Sequence, residues 1–260
     1  MKIIAPDYYK EFHCIADKCH HSCCVGWEID IDEESLQRFQ KIEEIQKEIA
    51  YAENPEEMPH FRLMPGERCP FLQENGLCRM ICHYGEEILC QICADHPRFR
   101  NFWEDRIELG LGLVCEEAAR IILEREKAMR LEVLEDDDEE VELPDEEAWL
   151  LDLRQQLMDA VEERGPLGRL REYLLYRHLS NALYDDRVEE RIQFVDAACR
   201  AVRKKWMAEK EKSSQSAFAC LLEIIHRFSY DVEYDEEFLE EILEHIAAGE
   251  DVVKMIIKKL

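Results

Sequence analysis

Cysteine is the residue type in this sequence with the most obvious capacity for chemistry. Ten of its twelve cysteines lie between Cys14 and Cys115, and only Cys199 and Cys220 lie outside that stretch. A disulfide framework is typical of small secreted proteins, whereas clustered cysteines in a reducing compartment bind metal or take part in catalysis. We therefore predict a metal centre in the first half of the chain, and we expect the two remaining cysteines to lie in an apolar core.

Two pairs of these cysteines have informative spacing. The adjacent Cα atoms of Cys23 and Cys24 are about 3.8 Å apart, closer than the roughly 4.4–6.8 Å of ordinary disulfides, so we expect thiols here. On a helix predicted over 85–94, Cys90 and Cys93 share one face, opposite an apolar face. This arrangement presents two thiolates to one ion.

The sequence leaves the identity of the metal open. Zinc takes four Cys or His ligands, and iron–sulfur clusters also take four thiolates. The number of soft ligands allows one such site or two. The Cys-x3-Cys-x2-Cys triad of radical enzymes that use S-adenosylmethionine is absent from the sequence. Five histidines in the same region are reserve ligands: His20, His21, His60, His83 and His96.

The charge of the chain limits its partners. The 260 residues include 60 acidic and 33 basic ones, for a formal net charge of −27. Such a chain lacks the basic face that nucleic acids require, and it would be repelled by anionic membranes. No apolar run approaches the roughly 18–20 residues of a membrane-spanning helix, and the N-terminus has no signal-peptide pattern. We therefore expect a soluble, cytoplasmic protein.

Short elements joined by loops are predicted for residues 1–131. Periodic patterns and turn residues mark their limits. The predicted elements are a strand over 28–32, a helix over 33–52, a helix over 85–94, a strand over 107–114 and a helix over 115–128.

Helical periodicity dominates the second half, after an acidic segment. Seven of the eight residues over 135–142 are acidic, which predicts an extended, solvated linker or, alternatively, a segment that attracts basic partners. Helices are predicted near 145–163, 167–184, 187–212, 214–229, 235–248 and 250–259. The aromatic residues of these helices are expected in their core: Trp149, Tyr173, Tyr176, Phe194, Trp206, Phe218 and Phe228.

These patterns predict a mainly α fold. A cysteine-rich metal-binding region with short strands would cover 1–131, an acidic linker 132–147 and an α-helical bundle 148–260. The glycine-rich segment 108–113 partly matches the loop that binds S-adenosylmethionine in Rossmann-type methyltransferases. No buried strand precedes it and no alternating strands and helices follow, so we interpret it as a short strand that leads into the next helix.

The order and spacing of the cysteine motifs resemble the flagellin lysine-N-methylase (FliB-like) family, which shares a CxxCxxCC zinc- or iron-chelating element. The resemblance covers roughly the first half of the chain. The segments that carry it are Ala5–Tyr9, Phe12–Ala16, Cys19–Trp27, Ile29–Asp32, Arg68–Leu72, Leu77–Cys78, Gly85–Leu89, Cys93 with Pro97–Arg98, and Cys115–Arg120.

The resemblance implies a protein-lysine N-methyltransferase that uses S-adenosylmethionine and a cysteine-bound iron–sulfur cluster of the 4Fe-4S type, with zinc as the alternative. It also implies a protein substrate with exposed lysines, flagellin or another. The implied metal ligands, with Cys90 added because of its spacing from Cys93, are Cys14, Cys19, Cys23, Cys24, Cys69, Cys78, Cys90, Cys93 and Cys115. The family pattern does not require Cys at 82 or 90. The residues alone support a second hypothesis equally: a non-enzymatic iron–sulfur or zinc module that senses redox state, transfers electrons or scaffolds a partner.

Overall fold

The computed structural model describes residues 1–51, 54, 58–137 and 141–260. Its strands are β1 (Lys2–Pro6), β2 (Ile49–Ala50), β3 (His60–Phe61), β4 (Arg98–Phe102), β5 (Arg106–Leu111) and β6 (Leu131–Asp136). Its helices are α1 (Glu33–Phe39), α2 (Glu43–Gln46), α3 (Arg79–Tyr84), α4 (Gln91–Asp95), α5 (Glu116–Glu124), α6 (Asp145–Asp159), α7 (Pro166–His178), α8 (Ala182–Asp185), α9 (Val188–Glu209), α10 (Ala217–Phe228), α11 (Glu236–Ala247) and α12 (Val253–Lys259).

The described residues form two compact units. The larger unit comprises Met1–His13 and Pro97–Leu260, and the smaller unit, which we call the cysteine unit, comprises Cys14–His96. This division differs from the sequence-based one, which separated 1–131 from 148–260. The difference arises because the first residues of the chain and residues 98–136 supply the strands of one sheet in the larger unit.

That sheet has the strand order β4-β5-β1-β6. β4 and β5 form an antiparallel hairpin, β1 pairs in parallel with β5, and β6 pairs antiparallel with β1. None of the strands β1, β4 and β6 was predicted from the sequence. β6 covers the start of the predicted acidic linker and pairs Glu135 with Ile3, so the segment is extended as expected but is part of a sheet up to Asp136. Residues 138–140 of the acidic run lie outside the described residues.

Helices predominate in the larger unit, as the periodicity predicted. The predicted helices after residue 145 are confirmed with shifts of a few residues, except that the one over 167–184 is divided between α7 and α8 by a 3-10 turn. Capping explains several boundaries: Pro166 is the first residue of α7 after Gly165, and the Ser216 and Asp235 side chains accept hydrogen bonds from Ala219 N and Phe238 N.

One large apolar cluster lies among these helices. Tyr173, Phe194 and Phe228 are buried in it, whereas Trp149, expected in the core, is 54% exposed. The neighbouring Leu150 takes the buried position on α6 instead. Cys220 is buried as expected, and Cys199 is only partly buried.

The glycine-rich segment forms β5 and the turn that follows it, as interpreted from the sequence. A Cβ at Gly110 would lie 2.1 Å from Cζ of Phe99, and one at Gly112 would lie 2.7 Å from the Tyr234 hydroxyl. The glycines therefore admit close packing of aromatic side chains against the backbone.

The cysteine unit has a smaller core. Phe61 packs against Phe39 and Phe71, with ring centroids 5.6 and 5.0 Å apart, and these rings lie in an apolar cluster with Ile29 and Ile45. The cluster also contains cysteine side chains. The helices and strands of the cysteine unit are short, so hydrogen bonds between loops fix much of its backbone.

Two sequence-based predictions for residues 28–52 are wrong. The helix over 33–52 ends at Phe39, because Ile42 is extended (φ −119°, ψ 103°), and after α2 the chain forms β2, in which Ile49 pairs with Phe61. In the segment 28–32 the apolar residues are buried and the polar ones are partly or fully exposed, but the segment does not form a regular strand. It is joined to residues 59–61 by two hydrogen bonds, Ile31 N to Pro59 O and Phe61 N to Ile29 O.

Candidate metal centre

Five thiols lie together around the core of the cysteine unit. Cys69 and Cys90 are buried in its apolar cluster, and Cys24, Cys78 and Cys93 pack against that cluster. We call these residues the five-thiol cluster. They come from three separated stretches of the chain, so folding of the unit is what brings them together.

Backbone hydrogen bonds fix the positions of the first three thiols. Cys69 N donates to Cys24 O at 2.8 Å. Between Cys69 and Cys78 the chain reverses in a turn at Gly76, whose φ of +80° suits glycine, and Leu72 forms a bridge with Cys78. The turn therefore returns Cys78 to the side of Cys69.

Cys90 and Cys93 lie at the start of α4. The helix predicted over 85–94 is interrupted: a 3-10 turn covers Glu86–Ile88, and α4 begins after Cys90, which is its N-terminal flanking residue. The face assignment from the sequence is also wrong, because the Cys90 side chain points into the core and Ile92 is 36% exposed. The expectation that the two thiols are neighbours agrees with a hydrogen bond between them.

The thiol pKa values show how these groups interact. A hydrogen bond from Cys23, with smaller effects of Ser22 and Arg68, lowers the pKa of Cys24 to about 7. Burial of Cys24 acts against this and raises the pKa. The hydrogen bond with Cys93 lowers the pKa of Cys90 and raises that of Cys93 far above its ordinary value. Each of these two pairs can thus hold one thiolate and one thiol.

Burial dominates at the remaining two members. Burial, together with a smaller effect of the nearby Cys24, Cys78 and Cys90, raises the pKa of Cys69 to about 12. Burial also raises the pKa of Cys78. Several buried thiols that oppose one another's ionisation are the surroundings in which a bound cation would stabilise the thiolates.

No three His, Cys, Asp or Glu side chains within the described ranges already stand in an arrangement that would hold a metal ion. The five-thiol cluster is therefore a set of neighbouring sulfurs, two of them hydrogen-bonded to each other, and not a finished ligand set. All twelve cysteines lie among the described residues, and none is disulfide-bonded. The donor chemistry fits a soft metal centre, because at least four thiols are available in one apolar surrounding.

The other candidate ligands lie outside this cluster. Cys14 is exposed, and its sulfur accepts from Ala16 N at 3.4 Å; the half-buried Cys19 donates to His21 O at 3.2 Å. Cys23 is exposed beside Cys24. Cys115 belongs to the larger unit, where it immediately precedes α5. Among the reserve histidines, His60 and His83 contact Glu28 and Glu44 at 3.4 and 3.6 Å.

Two polar residues that the sequence analysis did not select position the Cys90 segment. One carboxylate oxygen of Asp32 accepts from Ser35 N at 2.9 Å and the other from Gln91 N at 2.8 Å. Arg38 lies on α1, the helix that Asp32 caps, and its guanidinium donates to Glu87 O at 3.2 Å and Leu89 O at 3.0 Å. Asp32 is recognisable in the sequence as an N-cap before Glu33. Its hydrogen bond from Gln91 N is not, because the two residues are 59 positions apart.

Comparison with known proteins supports the resemblance predicted from the cysteine motifs. The chain is 26% identical over 137 residues to proteins named lysine-N-methylase from Salmonella typhimurium and Salmonella choleraesuis. It is likewise 26% identical over 137 residues to the flagellar biosynthetic protein FliU of Salmonella muenchen. Each match covers 50% of this chain, and it covers 34% of each lysine-N-methylase and 81% of FliU.

The chain therefore has curated relatives named lysine-N-methylase and FliU, at low identity over half its length, and the matched region spans about a third of the lysine-N-methylases. No family model matches the chain, and no solved structure matches it. No helix in the described part of the chain has the length and apolar character to cross a membrane.

Proposed function

We propose that this chain is a protein-lysine N-methyltransferase that uses S-adenosylmethionine and whose cysteine unit holds a thiolate-bound metal centre, an iron–sulfur cluster. The observation that carries the methyltransferase part is the similarity to proteins named lysine-N-methylase. The observation that supports the metal part is the five-thiol cluster in the core of the cysteine unit.

The ligands would come from Cys24, Cys69, Cys78, Cys90 and Cys93. Cys69 lies near the other four thiols, since Cys24, Cys78 and Cys90 act to raise its pKa and it acts to raise the pKa of Cys93. Five thiols are more than the four that a zinc ion or a 4Fe-4S cluster takes. When bound, the metal would neutralise the thiolates and hold together three stretches of chain with little regular structure.

The methyl transfer itself has simple requirements. The lysine nitrogen attacks the methyl carbon in line with the sulfonium, the sulfur–carbon bond breaks, and the sulfonium becomes a thioether. The amine must be neutral to attack, although its ordinary pKa is about 10.4, and the methylated ammonium then releases a proton. The net charge of −27 suits recruitment of a lysine-rich protein such as flagellin, but carboxylates beside the amine would raise its pKa and oppose attack.

The decisive experiment is anaerobic reconstitution of the full chain, followed by incubation with S-adenosylmethionine and flagellin. Mass spectrometry of the lysine-containing peptides then detects added methyl groups. Iron and sulfide analysis, with visible absorption that bleaches on reduction, distinguishes an iron–sulfur cluster from zinc.

A matched pair of variants tests the ligand assignment. Cys69→Ser is expected to lose the metal and the activity, whereas Cys82→Ser is expected to keep both, because Cys82 is exposed and lies outside the five-thiol cluster. Full metal content in Cys69→Ser would show that Cys69 is not a ligand and that the other four thiols suffice. Bound metal without any lysine methylation would favour the alternative, a metal-binding module with another function.

A further inference from the structure

β6 lies at the edge of the four-stranded sheet of the larger unit. It pairs with β1 on one side, and the described residues place no strand on its other side. Most of its side chains are exposed, including Val133, which is 56% exposed although valine is usually buried in a sheet. An open strand edge presents backbone N–H and C=O groups with which another extended chain can pair.

The pairing with β1 shows which backbone groups of β6 point outward. Asp7 N donates to Arg130 O at 2.8 Å, so the residue just before β6 directs its backbone groups toward β1. Because this direction alternates along a strand, Leu131 and Val133 direct their N–H and C=O groups away from β1. The register agrees, since Leu131 lies opposite Pro6, which has no N–H to donate.

A β-bulge gives the two faces of β6 different chemistry. The register shifts along β1, so that Glu132 lies opposite Ala5 and Glu135 lies opposite Ile3. Ile3 and Ala5 point to one face of the sheet, and the two glutamates therefore share that face. Without the extra residue, their odd spacing in the sequence would place them on opposite faces. Leu131 and Val133 point to the other face, which is apolar at this edge.

The charge of this edge is negative toward the end of the strand. The exposed Arg130 precedes β6, whereas Glu132, Glu135 and Asp136 follow on the strand itself. Asp136 lies 3.9 Å from Lys2, while Glu132 and Glu135 form no ion pair with another described residue. Two exposed carboxylates on one face are thus available to a cationic partner.

These features determine which partner can pair with β6. A second β6 would bring like charges opposite one another, which destabilises a sheet, whereas opposite charges stabilise it. An extended segment with lysines at alternate positions would face the carboxylates with its lysines. Its intervening side chains would lie against the apolar face.

We propose that β6 binds an extended, lysine-bearing segment of the protein substrate as an additional strand, with lysines facing Glu132 and Glu135 and apolar side chains facing Leu131 and Val133. This inference rests on the proposed function, because it takes a lysine-bearing protein as the partner. The carboxylates would raise the pKa of a neighbouring amine, so β6 is a docking site for the substrate and not the place of methyl transfer.

The first test is binding of a fluorescent peptide of alternating lysine and threonine to the reconstituted full chain, measured by anisotropy. A peptide of the same composition, with lysines and threonines in separate blocks, is the control. It is expected to bind about fivefold more weakly, because its lysines alternate between the two faces. Equal affinities of the two peptides would show that only net charge is recognised and would overturn the proposal.

Backbone pairing is tested by methylating the peptide amides. N-methylation of all threonine amides and of all lysine amides gives two further peptides with unchanged charge. The N–H direction alternates in step with the side chains, so one of the two peptides is expected to lose binding and the other to keep it. Equal binding by both would exclude strand addition.

Variants of the protein locate the site. Glu135→Lys is expected to weaken binding of the alternating peptide about fivefold, because an attractive cross-strand pair becomes a repulsive one. Glu211→Lys is the matched control, with the same charge change at an exposed residue in the turn after α9. Val133→Pro is expected to weaken binding more than about tenfold, since proline is tolerated on an edge strand but removes the outward N–H.

Hydrogen exchange provides a readout that does not depend on a variant folding. The peptide is expected to protect residues 131–135 of the unchanged chain. Absence of that protection, together with equal affinities of Glu135→Lys and Glu211→Lys, would overturn the site. A dimer of the chain that Val133→Pro dissociates would assign the edge to a second copy and also overturn the proposal.

The methylation assay keeps this proposal separate from the proposed function, because peptide binding is measured without S-adenosylmethionine. Flagellin methylation with unchanged kcat/KM in Val133→Pro would leave the function standing and remove the docking role of β6. Binding that depends on Glu135 and Val133, without any lysine methylation, would support the docking site and contradict the methyltransferase function.

Discussion

The two units of the described chain bury different kinds of side chain. In the larger unit, an extensive aliphatic and aromatic cluster lies among long helices, and its buried charges are paired, as in the bidentate contact of Arg154 with Glu108. In the cysteine unit, helices of four to seven residues surround a small cluster that includes Cys69 and Cys90. A small core with few long helices or strands is marginally stable without a disulfide or a bound metal. The comparison indicates that apolar burial stabilises the larger unit, and under the proposed function sulfur ligation would stabilise the cysteine unit.

Metal removal is the strongest test of that contrast. Treating the reconstituted protein with a chelator is expected to unfold the cysteine unit, because binding free energies of structural metals are roughly 10–16 kcal/mol in comparable small sites. The larger unit is expected to keep its helices. Circular dichroism would report retained helix, and hydrogen exchange would show lost protection at Phe61 and Phe71. Unchanged protection at these amides would refute the idea that the metal stabilises the folded cysteine unit.

Breaking the buried ion pair should have the next largest effect. Glu108 is fully buried, and its oxygens accept from Arg154 at 2.6 and 2.7 Å. Glu108→Gln is expected to lower the free energy of unfolding of the larger unit by about 3–5 kcal/mol, because it leaves the guanidinium buried without its counter-charge. Urea denaturation measures the change.

The exposed Glu132 on β6 offers the control. Glu132→Gln should change stability by no more than about 0.5 kcal/mol. Joint replacement of Glu108 by Met and Arg154 by Leu should recover much of the loss, since no unpaired charge then remains. A small effect of Glu108→Gln alone would show that water reaches this pair.

Close packing on β5 gives a smaller expected effect. In Gly110→Ala the new methyl group would overlap the Phe99 ring, whose Cζ lies 2.1 Å from the Cβ position. The displaced ring is expected to cost about 1–3 kcal/mol, measured by thermal or urea unfolding. Phe99→Leu in the same chain should relieve part of that cost. Equal stabilities of Gly110→Ala and the unchanged protein would mean that this packing is loose.

Asp32 provides the smallest and most local test, within the cysteine unit. Asp32→Ala removes an N-cap and is expected to cost about 1 kcal/mol, whereas Asp32→Asn should cost less because the amide oxygen still accepts. Burial acts to raise the pKa of Asp32, but hydrogen bonds from the amides of Gln91 and Ser35 outweigh it and lower the pKa.

The lowered pKa of Asp32 fixes the sign of its pH dependence. The stabilisation is fully present above the unfolded-state pKa of about 3.9, and it is lost as the pH falls through the lower folded-state pKa. Acid unfolding followed by hydrogen exchange at α1 and α4 should therefore differ between the unchanged protein and Asp32→Ala at neutral pH and converge in strong acid. Parallel curves throughout would exclude this role.

Local patterns predicted the helices well where each helix is long enough to show its own period. The helices after residue 145, and α5 over Glu116–Glu124, follow from apolar spacing and from caps such as Gly165-Pro166 and Ser216. Prediction failed where pairing with a distant segment decided the structure. β1 pairs with β5 about a hundred positions away. The extended Ile42 and the pairing of β2 with β3 interrupt what the periodicity suggested was one continuous helix.

The sequence by itself determined that thiols are concentrated in one stretch, that the chain is strongly acidic, and that a helical half follows. These properties depend on composition and on contacts between near neighbours in the chain. Only the tertiary structure decided which thiols meet. Cys24, Cys69, Cys78, Cys90 and Cys93 converge because a turn at Gly76, a hydrogen bond between Cys69 and Cys24, and the carboxylate of Asp32 join remote segments. Such long-range contacts leave no periodic signal in the sequence, since they depend on how whole loops close.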